Sequence, residues 1–333
     1  MIDPSIIDAT YTLINQQGDE VNKYRLIKHI FDQAEAATSI DLSLSKYLVR
    51  IKTRLEDDKL SPMQYYAKWQ GLHWMLYNLA DICPEIKWPL KDQIDDLANY
   101  WLGDRYTTAF VCKSEQESYR QPSVPIINGL YRRCASQQAA ALFIALRMGI
   151  RSIQVENLVE LLLKWQWPDG GWNCDKNPKA IHSSYTESII PLRALNQYYL
   201  ITNDTIVGEA VNRAADIFLK RQLYIKIKDG NVIHPEFTYL HYPLYWHYDI
   251  LGALKVMAEC NFINDPRCKP AIELLCTKLI KSGGWPAEKS YYKFSAEVAL
   301  GNDYIQWGGS SKRRMNEWVT IDSLYVLHKA KLL

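Results

Sequence analysis

Three carboxylates stand where a helix is expected to begin: Asp249, Glu187 and Asp175. Asp249 follows Trp246-His247-Tyr248 and precedes Ile250-Leu251, with Leu254 completing an apolar face. A carboxylate buried there is costly without a partner or a task, which ranks Asp249 first as an acid catalyst. Glu187 falls in the first turns of a segment starting near Ser183, where an acid also complements the helix dipole. Asp175 follows a Gly-Gly-Trp turn, a place where short acids commonly cap backbone N–H groups. His247 and His182 are the natural hydrogen-bonding partners for these acids, although a lone histidine is more often a satisfied core residue. Two carboxylates in an aromatic cleft suit a glycoside hydrolase or lyase, with Asp249 and Glu187 as acid and base. Against that alternative, the apolar segments offer few of the Asn, Gln, Asp and Arg side chains that a sugar site needs.

The aromatic residues supply the walls of a pocket. The chain has 22 Tyr and 11 Trp but only 7 Phe, an excess of side chains that join a large apolar body to a polar tip. Trp69, His73, Trp74, Tyr131, Tyr185, Tyr239, Tyr242, Tyr245, Trp246, Trp307 and Trp318 are the lining residues expected from position. Their helical spacing is also that of ordinary core packing. Tyr239-Leu-His-Tyr-Pro-Leu-Tyr-Trp246 is harder to explain so, because its aromatics crowd a proline-containing helix entry.

The elements that position these groups are read from periodicity. Val155 to Leu163 carries an apolar stripe that ends in Trp165-Gln-Trp-Pro-Asp-Gly-Gly-Trp172. Proline stops the helix, the glycines turn the chain, and Trp172 is thrown back against the helix it has left. A shorter copy, Ser282-Gly-Gly-Trp285-Pro286, closes another apolar segment, and a repeated helix-end device implies repeated helical hairpins. The paired segments are Ile6–Ile14 with Ser43–Leu55, Ser61–Asp81 with Lys91–Leu102, Arg133–Met148 with Val155–Trp165, Ser183–Leu200 with Thr205–Arg221, and Tyr245–Cys260 with Lys269–Lys281; Asn316–Lys331 closes the chain. The first helix of the later pairs is apolar nearly all round, as in Ala139-Ala-Ala-Leu-Phe-Ile-Ala-Leu146, so it is buried, and its amphipathic partner lies outside. The expectation is an all-α protein, an (α/α)6 barrel of inner and outer helices formed as one domain over residues 1–333. Trp172 and Trp285 are structural in this scheme. Strand-like alternation is sparse, as at Ile225–His234, and the long non-helical stretches Cys112–Asn128 and Glu288–Arg314 suit lids.

Composition excludes other classes. The formal net charge is +2 with no basic stripe, which argues against nucleic-acid binding. The seven cysteines are odd in number and unpaired in spacing, and Met1-Ile-Asp-Pro-Ser does not open a signal peptide. Reduced thiols in a cytoplasmic protein are the reading, with no transmembrane segment.

The helix–Gln–x–Pro–Asp–Gly–Gly–Trp run resembles the QW repeat of squalene–hopene and oxidosqualene cyclases and of protein prenyltransferase β subunits. The similarity extends over His182–Leu195, Trp246–Leu254 and Trp318–Leu327, from about Cys134 to the end of the chain. The resemblance implies a single-barrel class II terpene cyclase, acting without cofactor or metal on a hydrophobic polyprenyl substrate joined to an aromatic acid. It implies an acid that protonates a terminal alkene or epoxide, a histidine that orients it, and aromatic faces that stabilise the carbocations. The family's Asp-x-Asp-Asp motif is missing. Glu56-Asp57-Asp58 and Asp92–Asp96 read as exposed outer segments, which leaves Asp249, Glu187 and Asp175. The spacing of Glu187 to Ala194-Leu195 matches that of the last motif Asp in the hopene cyclases. Arg132-Arg133 or Lys312-Arg313-Arg314 would hold the substrate's carboxylate, unless they are simply solvated. The prenyltransferase zinc set, Asp-x-Cys with a distant His, is not reproduced by Cys174-Asp175 with His182 or His247, so no metal is expected. A polyprenyl substrate implies transient membrane contact.

Overall fold

The computed structural model describes residues 3–56 and 66–333. Asp57, Asp58, Tyr65 and the expected helix start at Ser61 lie outside the described residues. About 52% of the chain is helical. The described residues form fourteen α-helices: α1 (Pro4–Gln17), α2 (Glu20–His29), α3 (Ala34–Ala37), α4 (Lys46–Leu55), α5 (Leu72–Ile82), α6 (Lys91–Leu102), α7 (Asp104–Thr107), α8 (Ala135–Arg147), α9 (Ile153–Trp165), α10 (Tyr185–Thr202), α11 (Thr205–Leu219), α12 (Ile250–Glu259), α13 (Lys269–Thr277) and α14 (Glu317–Lys329). None is long and apolar enough to cross a membrane.

The chain forms two compact units. The first combines the described residues of Met1–Cys83 with Arg221–Leu333, and the second is Pro84–Lys220. In the second, α8 and α10 pack on each other, and each also packs against its amphipathic follower, α9 or α11. Every α8 residue from Gln138 to Leu146 is buried, whereas α9 buries only Val155, Leu158, Val159, Leu162 and Trp165. The layering expected from all-round and one-sided apolarity is therefore present here. In the first unit α12 packs on α13 and α14, α14 on α2, and α4 on α5.

Short strands lie within or beside the two segments expected to be loops, Cys112–Asn128 and Glu288–Arg314. β1 (Ala109–Val111) pairs in parallel with β2 (Val124–Ile127), which turns back to β3 (Leu130–Tyr131) with Ile126 opposite Tyr131. β4 (Lys293–Phe294) and β5 (Asn302–Asp303) pair in parallel. The strand-like stretch at Ile225 reduces to one antiparallel bridge to Val232. Periodicity missed α2, α3 and α7, of which two are single turns. It also began α12 too early. Tyr245 holds φ 51°, incompatible with a right-handed helix, and the helix starts only after Asp249 caps it.

The Gly-Gly-Trp device is built twice, from the same contacts. The Trp172 indole N–H donates to the Leu162 carbonyl at 2.9 Å, and the Trp285 indole to the Leu275 carbonyl at 2.9 Å. Each tryptophan's backbone N–H donates to a hydroxyl on the next buried helix, Ser188 Oγ at 2.9 Å or Thr320 Oγ1 at 2.9 Å. Gly170 takes φ 105°, and a Cβ on Gly171 would stand 2.4 Å from Ser188 Oγ. The first glycine thus makes the turn and the second admits the next helix. Gln166 closes the motif by donating to the carbonyls of Gly170 at 2.7 Å and Ala210 at 2.9 Å. We predict that Trp172→Ala or Trp285→Ala lowers stability by about 3–5 kcal/mol in urea unfolding, the usual loss for a fully buried indole.

Candidate active site

Asp249 is buried at the N-cap of α12. Its Oδ1 accepts the Gly252 N–H at 2.8 Å, and its Oδ2 accepts the His241 N–H at 2.8 Å and lies 3.2 Å from His241 Nδ1. The histidine partner is therefore His241, not His247. His247 stacks between Trp246 and Tyr291, with ring centroids 4.0 and 3.5 Å away, and its Nδ1 approaches the Leu244 carbonyl at 3.3 Å. Burial pushes His247 down to about 4, so it is a neutral ring there. A second acid, Glu236, stands 3.6 Å from His241 Nε2, so His241 lies between two carboxylates.

The other two acids differ sharply. Asp175 is exposed and accepts the Asn177 N–H at 2.9 Å, which makes it a turn residue. His182 is exposed, and its carbonyl accepts from Asn173 Nδ2 at 2.8 Å. Glu187 is buried in the first turn of α10. Its Oε2 accepts the Ser136 N–H at 3.2 Å and the Ser136 hydroxyl at 2.8 Å, and its Oε1 lies 3.5 Å from Cys174 Sγ. Burial raises its pKa, opposed by the Ser136 and Cys174 hydrogen bonds and the Arg133 charge.

Most of the expected aromatic residues gather in the first unit. Trp69 stacks on Tyr245 with centroids 4.0 Å apart, and Trp74 meets both edge-on at 5.0 and 5.4 Å. Half-buried Trp246, Tyr66 and Tyr292 pack around this group. A second group consists of Trp318 stacked on Tyr242 at 5.1 Å, with Trp307 edge-on to Trp318 at 5.1 Å. His73, beside Trp74 at 4.6 Å, is buried and pushed down to about 3. Tyr239 is half-buried under Lys289 Nζ, 4.5 Å from its ring. Tyr131 and Tyr185 belong to the second unit, where Lys164 Nζ lies 5.8 Å over the Tyr131 ring and Tyr185 meets Phe218 at 5.2 Å.

Between the two aromatic groups of the first unit sits an acid that sequence reasoning did not select, Asp303 on β5. It is 0% exposed. The Tyr245 hydroxyl, from the first group, and the Trp307 indole N–H at 2.7 Å, from the second, both donate to its Oδ2, while the Ile305 N–H donates to Oδ1 at 2.9 Å. Burial pushes its pKa up to about 7, despite the opposing donors Ile305 N–H, Trp307 and Tyr304 N–H. Asp303 lies inside Glu288–Arg314, and its place in a stretch flagged as a lid was the only signal in the sequence.

The basic candidates hold structure or face solvent. Arg132 Nη1 donates to the carbonyls of Asp175 at 3.0 Å and Ala180 at 2.7 Å, and its guanidinium lies 4.6 Å over Trp167. It pins the loop after Trp172, while its Nε and Nη2 are buried without a hydrogen-bond partner among the described residues. Lys312, Arg313 and Arg314 are exposed. No protein-family model matches this chain, and comparison with curated proteins and with solved structures finds no match.

Two stability tests follow from these acids. Folded Asp303 keeps its proton between the ordinary aspartate value and about 7, whereas the unfolded chain gives it up. Its contribution therefore favours folding at the acidic end of that window and is lost as pH rises through about 7. Wild type should lose roughly 1 kcal/mol per pH unit across the window relative to Asp303→Asn, read from urea melts at stepped pH. Asp249→Ala, which orphans the Gly252 and His241 N–H groups, should cost about 2–4 kcal/mol, and Asp249→Asn, which keeps an acceptor for the cap, clearly less.

Proposed function

We propose that this chain catalyses the proton-initiated cyclisation of a linear polyprenyl chain carried on an aromatic acid, with Asp303 as the proton donor. The observation that carries the reading is a fully buried carboxyl, pushed up to about 7, joined by hydrogen bonds to tyrosine and tryptophan side chains of two aromatic groups. A neutral carboxylic acid surrounded by aromatic rings meets both demands of such chemistry. It holds a proton at working pH, and its surroundings stabilise cations without offering a nucleophile that would trap them.

In the proposed step the Asp303 O–H bond breaks and the proton adds to the less substituted carbon of the terminal alkene. The neighbouring double bonds then attack the tertiary cation in turn, and the last cation loses a proton, so the product is an isomer of the substrate. The carboxylate left behind keeps three donors, Tyr245 O–H, Trp307 Nε1–H and Ile305 N–H, which stabilise the conjugate base and so strengthen the acid at the moment of transfer. Asp249 holds the Tyr239–Tyr248 entry segment to α12 through His241 and thereby positions Tyr245, the group that bonds Asp303. The finer architecture we propose is an (α/α)6 toroid, supported by the hairpin layering of α8 to α11 and by the repeated Gly-Gly-Trp device. In this reading the protein acts on membrane-derived substrate from the aqueous side.

The test is incubation of the EDTA-treated protein with a geranylgeranylated dihydroxybenzoic acid, read by mass spectrometry and retention time. Wild type should form a product of unchanged mass with fewer alkenes, at a rate that falls as pH rises above about 7. Asp303→Asn should lower the rate by at least about 100-fold, the usual contribution of a general acid. Asp249→Asn should lower it less. Equal turnover by wild type and Asp303→Asn would remove Asp303 from the mechanism, and no turnover by wild type on any polyprenyl substrate would remove the reading.

A further inference from the structure

Three metal-binding groups meet in the second unit, away in sequence from the acids of the first. Cys134 immediately precedes α8, Cys174 lies in the loop after Trp172, and Glu187 stands in the first turn of α10. Their ligand atoms all lie within 4.8 Å of one another. The geometry points to a site for one thiophilic divalent cation of the zinc class, held by Cys134 Sγ, Cys174 Sγ and Glu187 Oε1, with a fourth position open to water.

Four features of the site support this. The first is spacing. Cys174 Sγ and Glu187 Oε1 are 3.5 Å apart. A tetrahedral zinc with Zn–S near 2.3 Å and Zn–O near 2.0 Å separates a sulfur and an oxygen ligand by about 3.5 Å. The second is orientation. Ser136 binds only Oε2, through its N–H at 3.2 Å and its hydroxyl at 2.8 Å, which holds the carboxylate with Oε1 turned toward the thiol. Such outer hydrogen bonds are what fix carboxylate ligands in metal sites. The third is charge. Two thiolates and a carboxylate carry one more negative charge than a divalent cation neutralises, and the Arg133 guanidinium interacts electrostatically with Cys134, Glu187 and Cys174. The guanidinium is held there by Gln137 Oε1 at 2.6 Å and by the Tyr106 ring at 4.9 Å. The fourth is access. Cys134 and Cys174 are half-buried, unlike the sealed thiols of Cys83 and Cys268, so an ion and a water can reach them.

A thiol must lose its proton to become a thiolate ligand, so binding releases protons and affinity rises with pH. Sequence spacing hides the site, because its second cysteine comes from the preceding helical hairpin.

The test uses the reduced full-length chain, stripped with EDTA and then titrated with Co2+ and with Zn2+. We expect one Co2+ per chain, bound with release of protons to the buffer and showing a thiolate-to-cobalt charge-transfer band and tetrahedral d–d bands, and displaced by Zn2+. Cys134→Ser and Cys174→Ser should abolish the charge-transfer band or halve it, with circular dichroism confirming that each variant is folded. Ser136→Ala, which keeps all three ligands, should weaken Zn2+ binding roughly 10–100-fold. A wild-type chain that binds Co2+ without a thiolate band, or that retains no metal after gel filtration, overturns the proposal. So does a Ser136→Ala chain with unchanged affinity, or a Cys134–Cys174 disulfide that forms in air while the reduced chain ignores metal. Cyclisation is assayed with EDTA present and depends on Asp303, so the two readings fail independently.

Discussion

The cost of taking a carboxyl group out of water organises this structure. An unpaired carboxylate in an apolar interior is unstable by several kcal/mol, so each buried acid must be capped, paired or protonated. The protein uses all three answers. Asp249 is capped by backbone N–H groups and by His241. Asp322 is paired: Arg25 Nη2 lies 2.5 Å and Lys255 Nζ 3.0 Å from its Oδ1, and Lys255 also reaches Asp81 at 2.9 Å. That network joins α2, α5, α12 and α14 in the interior of the first unit. Asp303 has neither a cation nor a full set of backbone donors, and it responds by holding its proton. The acid left with the poorest compensation is the one assigned the proton in the proposed reaction.

The same constraint explains why aromatic residues surround Asp303. A phenol and an indole each bring one polar hydrogen into an otherwise apolar body, so they satisfy an acid without introducing a counter-charge. An arginine in place of Trp307 would favour the ionised form of Asp303. Tyr47 extends the arrangement: its ring stacks on Trp307 at 5.4 Å while its hydroxyl donates to Glu317 at 2.8 Å. The aromatic excess of the composition thus serves packing and polarity together.

Each of the two units carries one tryptophan latch. In each, an indole N–H ties the turn to the helix behind it while a hydroxyl on the next buried helix ties it forward. One side chain therefore sets the direction in which the next helix begins. Because Glu187 and Ser188 are neighbours, the latch at Trp172 also brings Glu187 to the start of α8.

Much of the helical framework was legible in the residues. The period of apolar side chains located α6 to its observed ends and α8 to α11 within about two residues, because those helices bury wide stripes whose spacing is a local property. The Gly-Gly-Trp motif announced its own geometry, since only glycine accepts φ 105° at Gly170 and the contact that Gly171 makes. Asp175 as a turn residue and Asp249 at a helix start follow from the same local logic. Partner choice did not. His241 and not His247 meets Asp249 because the chain between Tyr242 and Asp249 is irregular, with Tyr245 in the left-handed region, and no periodic pattern says which ring faces the acid. Asp303 and Cys134 were invisible for a related reason. What makes each of them significant is a set of neighbours from other segments, Tyr245 and Trp307 for the one, Cys174 and Glu187 for the other. Local spacing determines which face of a helix is buried. Desolvation and through-space electrostatics, which depend on how distant segments pack, decide what a buried acid or thiol can do.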